Sequence, residues 1–154
     1  MQGNTIAHSR TAMSQVMLPS QANPSGNVHG GEIMKMMDTT AYVVAAKHAR
    51  SSIVTARVDE LEFHTPVYMG ALVTCRAELV FVGRSSMEVA VIVSAEDLRS
   101  NEPSKVALTA YFTMVALDNE GVPYPVPPLV LSTQEEEVRF KEGKQRYDLH
   151  KSKR

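Results

Sequence analysis

The chain has one cysteine, Cys75, among 154 residues. Neither an internal disulfide framework nor a Cys-rich metal site can be built from it. It has little net charge: sixteen basic against seventeen acidic residues leave −1, too neutral for bulk electrostatic capture of nucleic acid. No stretch reaches the ~18 continuous apolar residues of a membrane span, and the opening MQGNTIAHSR has no apolar signal-peptide core. There is no Walker loop, no Gly-x-Ser-x-Gly elbow, and no His, Cys or carboxylate cluster with metal-ligand spacing. These absences lead to the expectation of a cytoplasmic protein with no metal, membrane or nucleic-acid partner. What is present suits one globular domain: 44% apolar and 21% charged residues.

Charge is unevenly placed. From Arg139 to Arg154 seven basic residues face two acidic ones, a net of +5, while the preceding 138 residues carry nine against fifteen, a net of −6. The expected division is therefore a domain over residues 1–130 and a polar, basic C-terminal tail over 131–154, helical or solvated. Such a tail is suited to meet an anion or another subunit; a frayed terminus is the alternative.

Hydrophobic periodicity outlines the domain. Thr11–Met17 reads as a strand, and Pro19–Asn27 as a turn-rich loop. Gly30-Gly31 opens a helix running to about Arg50, apolar around nearly its whole circumference and so expected to be buried on most sides. Period two follows: Val54, Ala56 and Val58 share a parity that passes to Leu61 and Phe63, which predicts a β-bulge between Asp59 and Leu61. Leu72–Val82, Met87–Ala95 and Lys105–Leu117 complete the strands, the last apolar on both faces and so central or covered. Short joins favour antiparallel neighbours, giving an α+β layer pair of one helix on one sheet. One helix leaves apolar sheet surface uncovered, which predicts oligomerisation through the sheet or its edge.

The densest candidate for chemistry lies between Asn23 and Asp38. Gly30-Gly31 at a helix start permits close backbone approach, and first-turn N–H groups there form an anion or oxyanion site. The alternative is a tight loop whose glycines only fit the sheet. Asp38 is costly to bury unpaired and poor in a helix interior. It follows Gly31 by seven residues, about 10 Å along nearly the same face. That places it for general-base or nucleophilic work on a substrate held between them; the alternative is a solvated stripe with Lys35. His29 can cap or orient the loop, His64 reads as a turn residue, and Cys75 and the nine methionines read as core.

Asn23-Pro-Ser-Gly-Asn-Val-His-Gly-Gly31 followed by Met34-Lys-Met-Met-Asp38 resembles the signature of the hotdog-fold acyl-CoA thioesterases, in the acyl-CoA hydrolase branch. Val54-Thr55, Val58-Asp59 to Phe63, Pro66-Val67, Gly70 and Val82-Gly83-Arg84-Ser85-Ser86-Met87-Glu88-Val89 extend the match over roughly residues 11–128. The resemblance implies a long helix wrapped by a curved antiparallel sheet, and a homodimer with active sites at the interface, assembled further as a trimer of dimers. It implies hydrolysis of acyl-CoA to free acid and CoA without metal or cofactor, CoA being part of the substrate. Asp38 would be general base or nucleophile, Asn23 its partner from the other subunit, and Gly30-Gly31 the group polarising the thioester carbonyl. CoA adds phosphates, for which Arg84 with Ser85 and Ser86 is the first candidate, an ordinary hairpin arginine being the alternative. His29, Arg57, Lys105 and the tail are lesser candidates for contact with substrate. Two other functions stay open: a hydroxyacyl-thioester dehydratase using His29, and a non-catalytic acyl-CoA sensor.

Overall fold

The computed structural model describes residues 1–153. A short strand β1 (Asn4–Thr5) and a single helical turn α1 (Ile6–Ser9) precede β2 (Thr11–Val16). The long helix α2 spans Gly30–Ala49, followed by β3 (Ser52–Phe63), β4 (Leu72–Val82), β5 (Ser86–Glu96) and β6 (Lys105–Leu117). After β7 (Leu129–Val130), which pairs in parallel with β1, comes α3 (Gln134–Lys151). The sheet is antiparallel with the order β2-β4-β5-β6-β3. The expected α+β layer pair is therefore present, with β6 internal between β5 and β3, and β3 at an open edge.

The core forms where α2 lies across the sheet. Met37, Ala41, Val44 and Ala45 are fully buried against Val73, Leu79, Val89, Val91, Phe112 and Met114. The helix is less enclosed than its sequence predicts. Gly31, Lys35, Thr39 and Tyr42 are exposed, forming an open stripe at helical spacing beside β3. Apolar character all round a helix asks for burial all round, and one chain supplies partners for only part of the circumference.

Strand β3 carries two breaks in pairing. The expected one lies between Asp59 and Glu62, where Glu60 takes a left-handed φ of 50°. The second, between Thr55 and Arg57, leaves Ala56 unpaired. The parity expected for Val54, Ala56 and Val58 therefore does not hold. Ile53, Val58 and Leu61 pack on the core, whereas Val54 and Ala56 are exposed.

The C-terminal segment is a docked helix rather than a solvated end; Arg154 lies outside the described residues. Thr133 caps α3 by accepting a bond from the Glu136 N–H, and the Glu136 carboxylate accepts one from the Ser132 N–H. Glu135–Glu137 at the start and His150 and Lys151 at the end suit the helix dipole. Phe140 and Tyr147 pack on Phe81 of β4, while Arg139 donates to Glu78 at 2.8 Å. Arg146 grips Glu88 of β5 through two nitrogens and lies 3.8 Å above the Tyr111 ring. Gly143 allows this approach: a Cβ there would stand 2.7 Å from Phe81 Cβ and 3.1 Å from Glu88 Oε1. Gly143→Ala should accordingly cost about 1–3 kcal/mol of unfolding free energy by overpacking, against a gain of about 1 kcal/mol in helix propensity. Denaturant titration checks this; a more stable variant would contradict the tight docking.

The end of α2 holds a buried histidine that ties the chain after β6 in place. His48 Nε2 lies 2.7 Å from the Pro127 carbonyl, to which it donates, and the Asn4 amide donates to the His48 carbonyl. Burial lowers the His48 pKa below its ordinary 6.5, against the raising effect of the Pro127 bond and helped by nearby His8. The unfolded chain thus binds a proton more readily than the folded one. Stability from this site is complete above pH 6.5 and falls as pH drops below it. Thermal unfolding between pH 7.5 and 5 should show that decline, and His48→Gln, which keeps a donor for Pro127, should flatten it.

Candidate functional site

The Asn23–Asp38 segment folds around the start of α2. Asn23 Oδ1 accepts bonds from the Ser25 and Asn27 N–H groups at 3.0 and 3.1 Å, an Asx-type turn. Because both partners are donors, the bonded atom is the amide oxygen, and the NH2 has no partner among the described residues. Gly26, with φ of +85°, makes the turn possible. Bonds from Val28 N–H to Val67 and from Met69 N–H to Gly26 hold the loop against the β3–β4 connection.

His29 ends the loop as the exposed N-cap of α2 and makes no side-chain cap. The Gly30 and Gly31 N–H groups donate to no carbonyl among the described residues. A Cβ on Gly31 would meet nothing within 4 Å, and one on Gly30 only the edge of the Phe63 ring at 3.7 Å. Neither glycine has positive φ. Intrachain packing therefore does not explain them; they leave two free donors facing open space at the positive end of a 20-residue helix.

Asp38 lies on the same side of α2, half-buried, where the helix meets the edge strand. Thr55 Oγ1 donates to Asp38 Oδ1 at 2.6 Å. That bond occupies one carboxylate oxygen and leaves the other free to take a proton. The unpaired Ala56 directly follows Thr55, and bulges of this kind re-aim neighbouring side chains. Tyr42 and Phe63, 46% and 65% exposed, give the seam an apolar rim. Thr55 is the site residue that sequence reasoning missed. It stood within a matched segment, but its pairing to Asp38 depends on the bulge at Ala56.

The remaining candidates separate. Ser85 and Ser86 lie at the β4–β5 hairpin, whose Ser86 pairs with Val115 next to Met114, the partner of Thr55. Together with Arg57 they line a cavity on the other face of the sheet from α2. Arg84 is exposed at the tip of that hairpin, its carbonyl accepting from the Val126 N–H. Lys105 sits at the opposite end of β6, paired with Ala95 and 3.8 Å from Glu102, so it does not join them. His64 bonds Thr109 and has no part in the seam. Cys75 is wholly buried, and burial pushes its thiol pKa up, which fits core packing.

The family model described as "Thioesterase superfamily" matches residues 25–101. The cytosolic acyl coenzyme A thioester hydrolase of Rattus norvegicus is 41% identical over 152 residues, covering 98% of this chain. The chain spans only 40% of the length of that relative. A hexameric acyl-CoA thioesterase superposes with a TM-score of 0.91 at 31% identity, over 99% of this chain and 97% of its own. The acyl-CoA hydrolase of Staphylococcus aureus, in complex with butyryl coenzyme A and coenzyme A, gives a TM-score of 0.87 at 30% identity over 97% and 91%. Alanine variants of that enzyme replace an Asn, an Asp fifteen residues later and a Thr seventeen beyond it. In sequence, in fold and over nearly its whole length, this chain belongs to the thioesterase superfamily.

Proposed function

We propose that this chain hydrolyses acyl-CoA to a free carboxylic acid and CoA at the seam between α2 and β3. The observation that carries the reading is Asp38, a half-buried carboxylate fixed by Thr55 at 2.6 Å and two turns from the unbonded Gly30 and Gly31 N–H groups. Those donors would take the thioester oxygen and stabilise the charge that develops on it. Asp38 would remove a proton from water as it attacks the carbonyl carbon, or attack directly to form an anhydride that water then opens. Either way the C–S bond breaks, the sulfur leaves as CoA thiolate and is protonated, and the acid retains the added oxygen. Thr55 acts as a positioning residue. Asn23, Asp38 and Thr55 also repeat the fifteen- and seventeen-residue spacing of the Asn, Asp and Thr replaced in the Staphylococcus aureus enzyme.

The open stripe of α2 and the unpaired edge of β3 favour a second copy covering the seam, with the unpartnered Asn23 NH2 supplied across the interface to place water or substrate. A homodimer, assembled as a trimer of dimers, fits the hexameric relatives. A cytoplasmic location agrees with the name of the cytosolic rat relative. Incubation with acyl-CoA in 18O-labelled water tests the reaction itself. Label should enter the free acid; tight binding with intact thioester would instead indicate a sensor.

The exposed Arg84 is suited to the CoA phosphates. Arg84→Ala should raise KM for acyl-CoA with a smaller effect on kcat, since a phosphate contact serves ground and transition states alike. The effect should shrink for an acyl-pantetheine thioester and with rising salt. Equal increases in KM for both substrates would assign Arg84 a structural role.

A further inference from the structure

The start of α2 does not use the capping that its sequence offers. His29 is the N-cap, and Glu32 stands three residues later, the position from which a Glu folds back to accept the N-cap N–H. In this fold the His29 N–H donates instead to the Gln21 carbonyl at 2.9 Å. The Glu32 carboxylate also meets Gln21: Oε2 lies 3.5 Å from Nε2, and it takes no bond from a helix N–H among the described residues. The Gln21 amide is oriented independently of Glu32. Its Oε1 accepts the Leu18 N–H at 2.8 Å, which leaves Nε2 as the end that meets α2. The Glu32 and Ile33 N–H groups both donate to the His29 carbonyl. Gly30 and Gly31 alone therefore keep unbonded donors in this first turn.

We infer that Gln21 is a positioning residue for this site: its carbonyl engages the His29 N–H and its side-chain amide restrains Glu32, so that the Gly30 and Gly31 N–H groups stay free for the substrate. Its part in turnover rests on the hydrolase reading above; the restraint on Glu32 does not. A carboxylate near a helix start is drawn to unbonded N–H groups, because they carry the positive end of the dipole. Lodged there, Glu32 would compete with the thioester oxygen from within the molecule. It would also put a negative charge where the transition state develops one. Gln21 is neutral, so it holds Glu32 without adding charge beside the donors. It stands two residues before Asn23, so one short segment supplies the Asn23 amide and keeps the glycine donors open.

Gln21→Glu separates this role from simply holding the loop. It keeps the backbone carbonyl for His29 and an oxygen for the Leu18 N–H, so the loop retains its bonds. It replaces the Nε2 donor with a carboxylate oxygen that repels Glu32. Thermal unfolding verifies that each variant is folded. Thiol release from acyl-CoA should then show kcat lowered about tenfold with a smaller change in KM. That is less than the ~10²–10³ of losing a donor outright, because the carboxylate only competes for it. Adding Glu32→Gln rebuilds the pair with donor and acceptor exchanged and should restore kcat close to the parental value. The second readout needs no activity. In the full chain labelled with 15N-glycine, which has eight glycines, the Gly30 and Gly31 amides should exchange hydrogen more slowly in Gln21→Glu than in the parent, and at the parental rate in the double variant. Parental kcat in folded Gln21→Glu overturns the inference. So does a fall in kcat that Glu32→Gln fails to restore, or glycine exchange that stays at the parental rate. If the parent itself releases no thiol, the hydrolase reading fails, and the glycine exchange alone decides whether Gln21 keeps the donors free.

Discussion

Asp38→Ala should release thiol from acyl-CoA at least ~10²-fold more slowly than the parent protein while remaining folded and assembled. The expectation of intact folding is physical. Asp38 is half-buried, its one side-chain bond is the one from Thr55, and Ala is a better helix former than Asp. Thr55 is exposed, so water can satisfy the hydroxyl once the carboxylate is gone. Asp38→Asn separates position from chemistry. Its amide oxygen can still accept from Thr55, yet it can neither take up a proton nor attack a carbonyl as an anion. Loss of activity in both variants assigns the role to the carboxylate. Near-parental hydrolysis by either one would remove Asp38 from the reaction.

The second large effect concerns Asn23. Asn23→Ala removes both bonds that shape its turn, those from the Ser25 and Asn27 N–H groups, so lost turnover alone could reflect a displaced loop. Asn23→Asp keeps an acceptor for both and replaces the NH2 donor with a charged oxygen that can only accept. Both variants should be impaired by at least ~10-fold, as expected for a lost charge-directed hydrogen bond. If Asn23 and Asp38 act from different subunits, mixing Asn23→Asp with Asp38→Asn protein regenerates parental pairs. Random exchange in a two-fold dimer restores about a quarter of the sites. No recovery in verified mixed dimers would place both residues' action within one chain.

The elements with the strongest periodicity were the most legible. The strands Leu72–Val82 and Lys105–Leu117 occur where alternation places them, because each buries one or both faces in the same core. The bulge at Glu60 was readable from a change of parity, whereas that at Ala56 was not. Val54, Ala56 and Val58 alternate without interruption in sequence, and the tertiary pairing that turns Thr55 toward Asp38 leaves no trace there. Gly30, Gly31 and Asp38 stood out because their residue types fit a buried helix poorly. Lys105 lies at the other end of β6 from the hairpin, which charge alone could not tell. The C-terminal helix was obscured because its docking relies on Arg139, Gly143 and Arg146, residues that read as a polar tail until Glu78, Phe81 and Glu88 are seen beneath them.

The central claim is that the α2–β3 seam is a working thioester hydrolase. Thiol release by the purified wild-type chain, measured with a colorimetric thiol reagent across acyl-CoA substrates from two to sixteen carbons (roughly the span an apolar slot can discriminate by ~0.8 kcal/mol per methylene), tests it most directly. The account predicts steady multiple turnover on at least one chain length, abolished in the Asp38→Asn protein prepared in parallel. Binding of acyl-CoA across the series with no thiol released would contradict it.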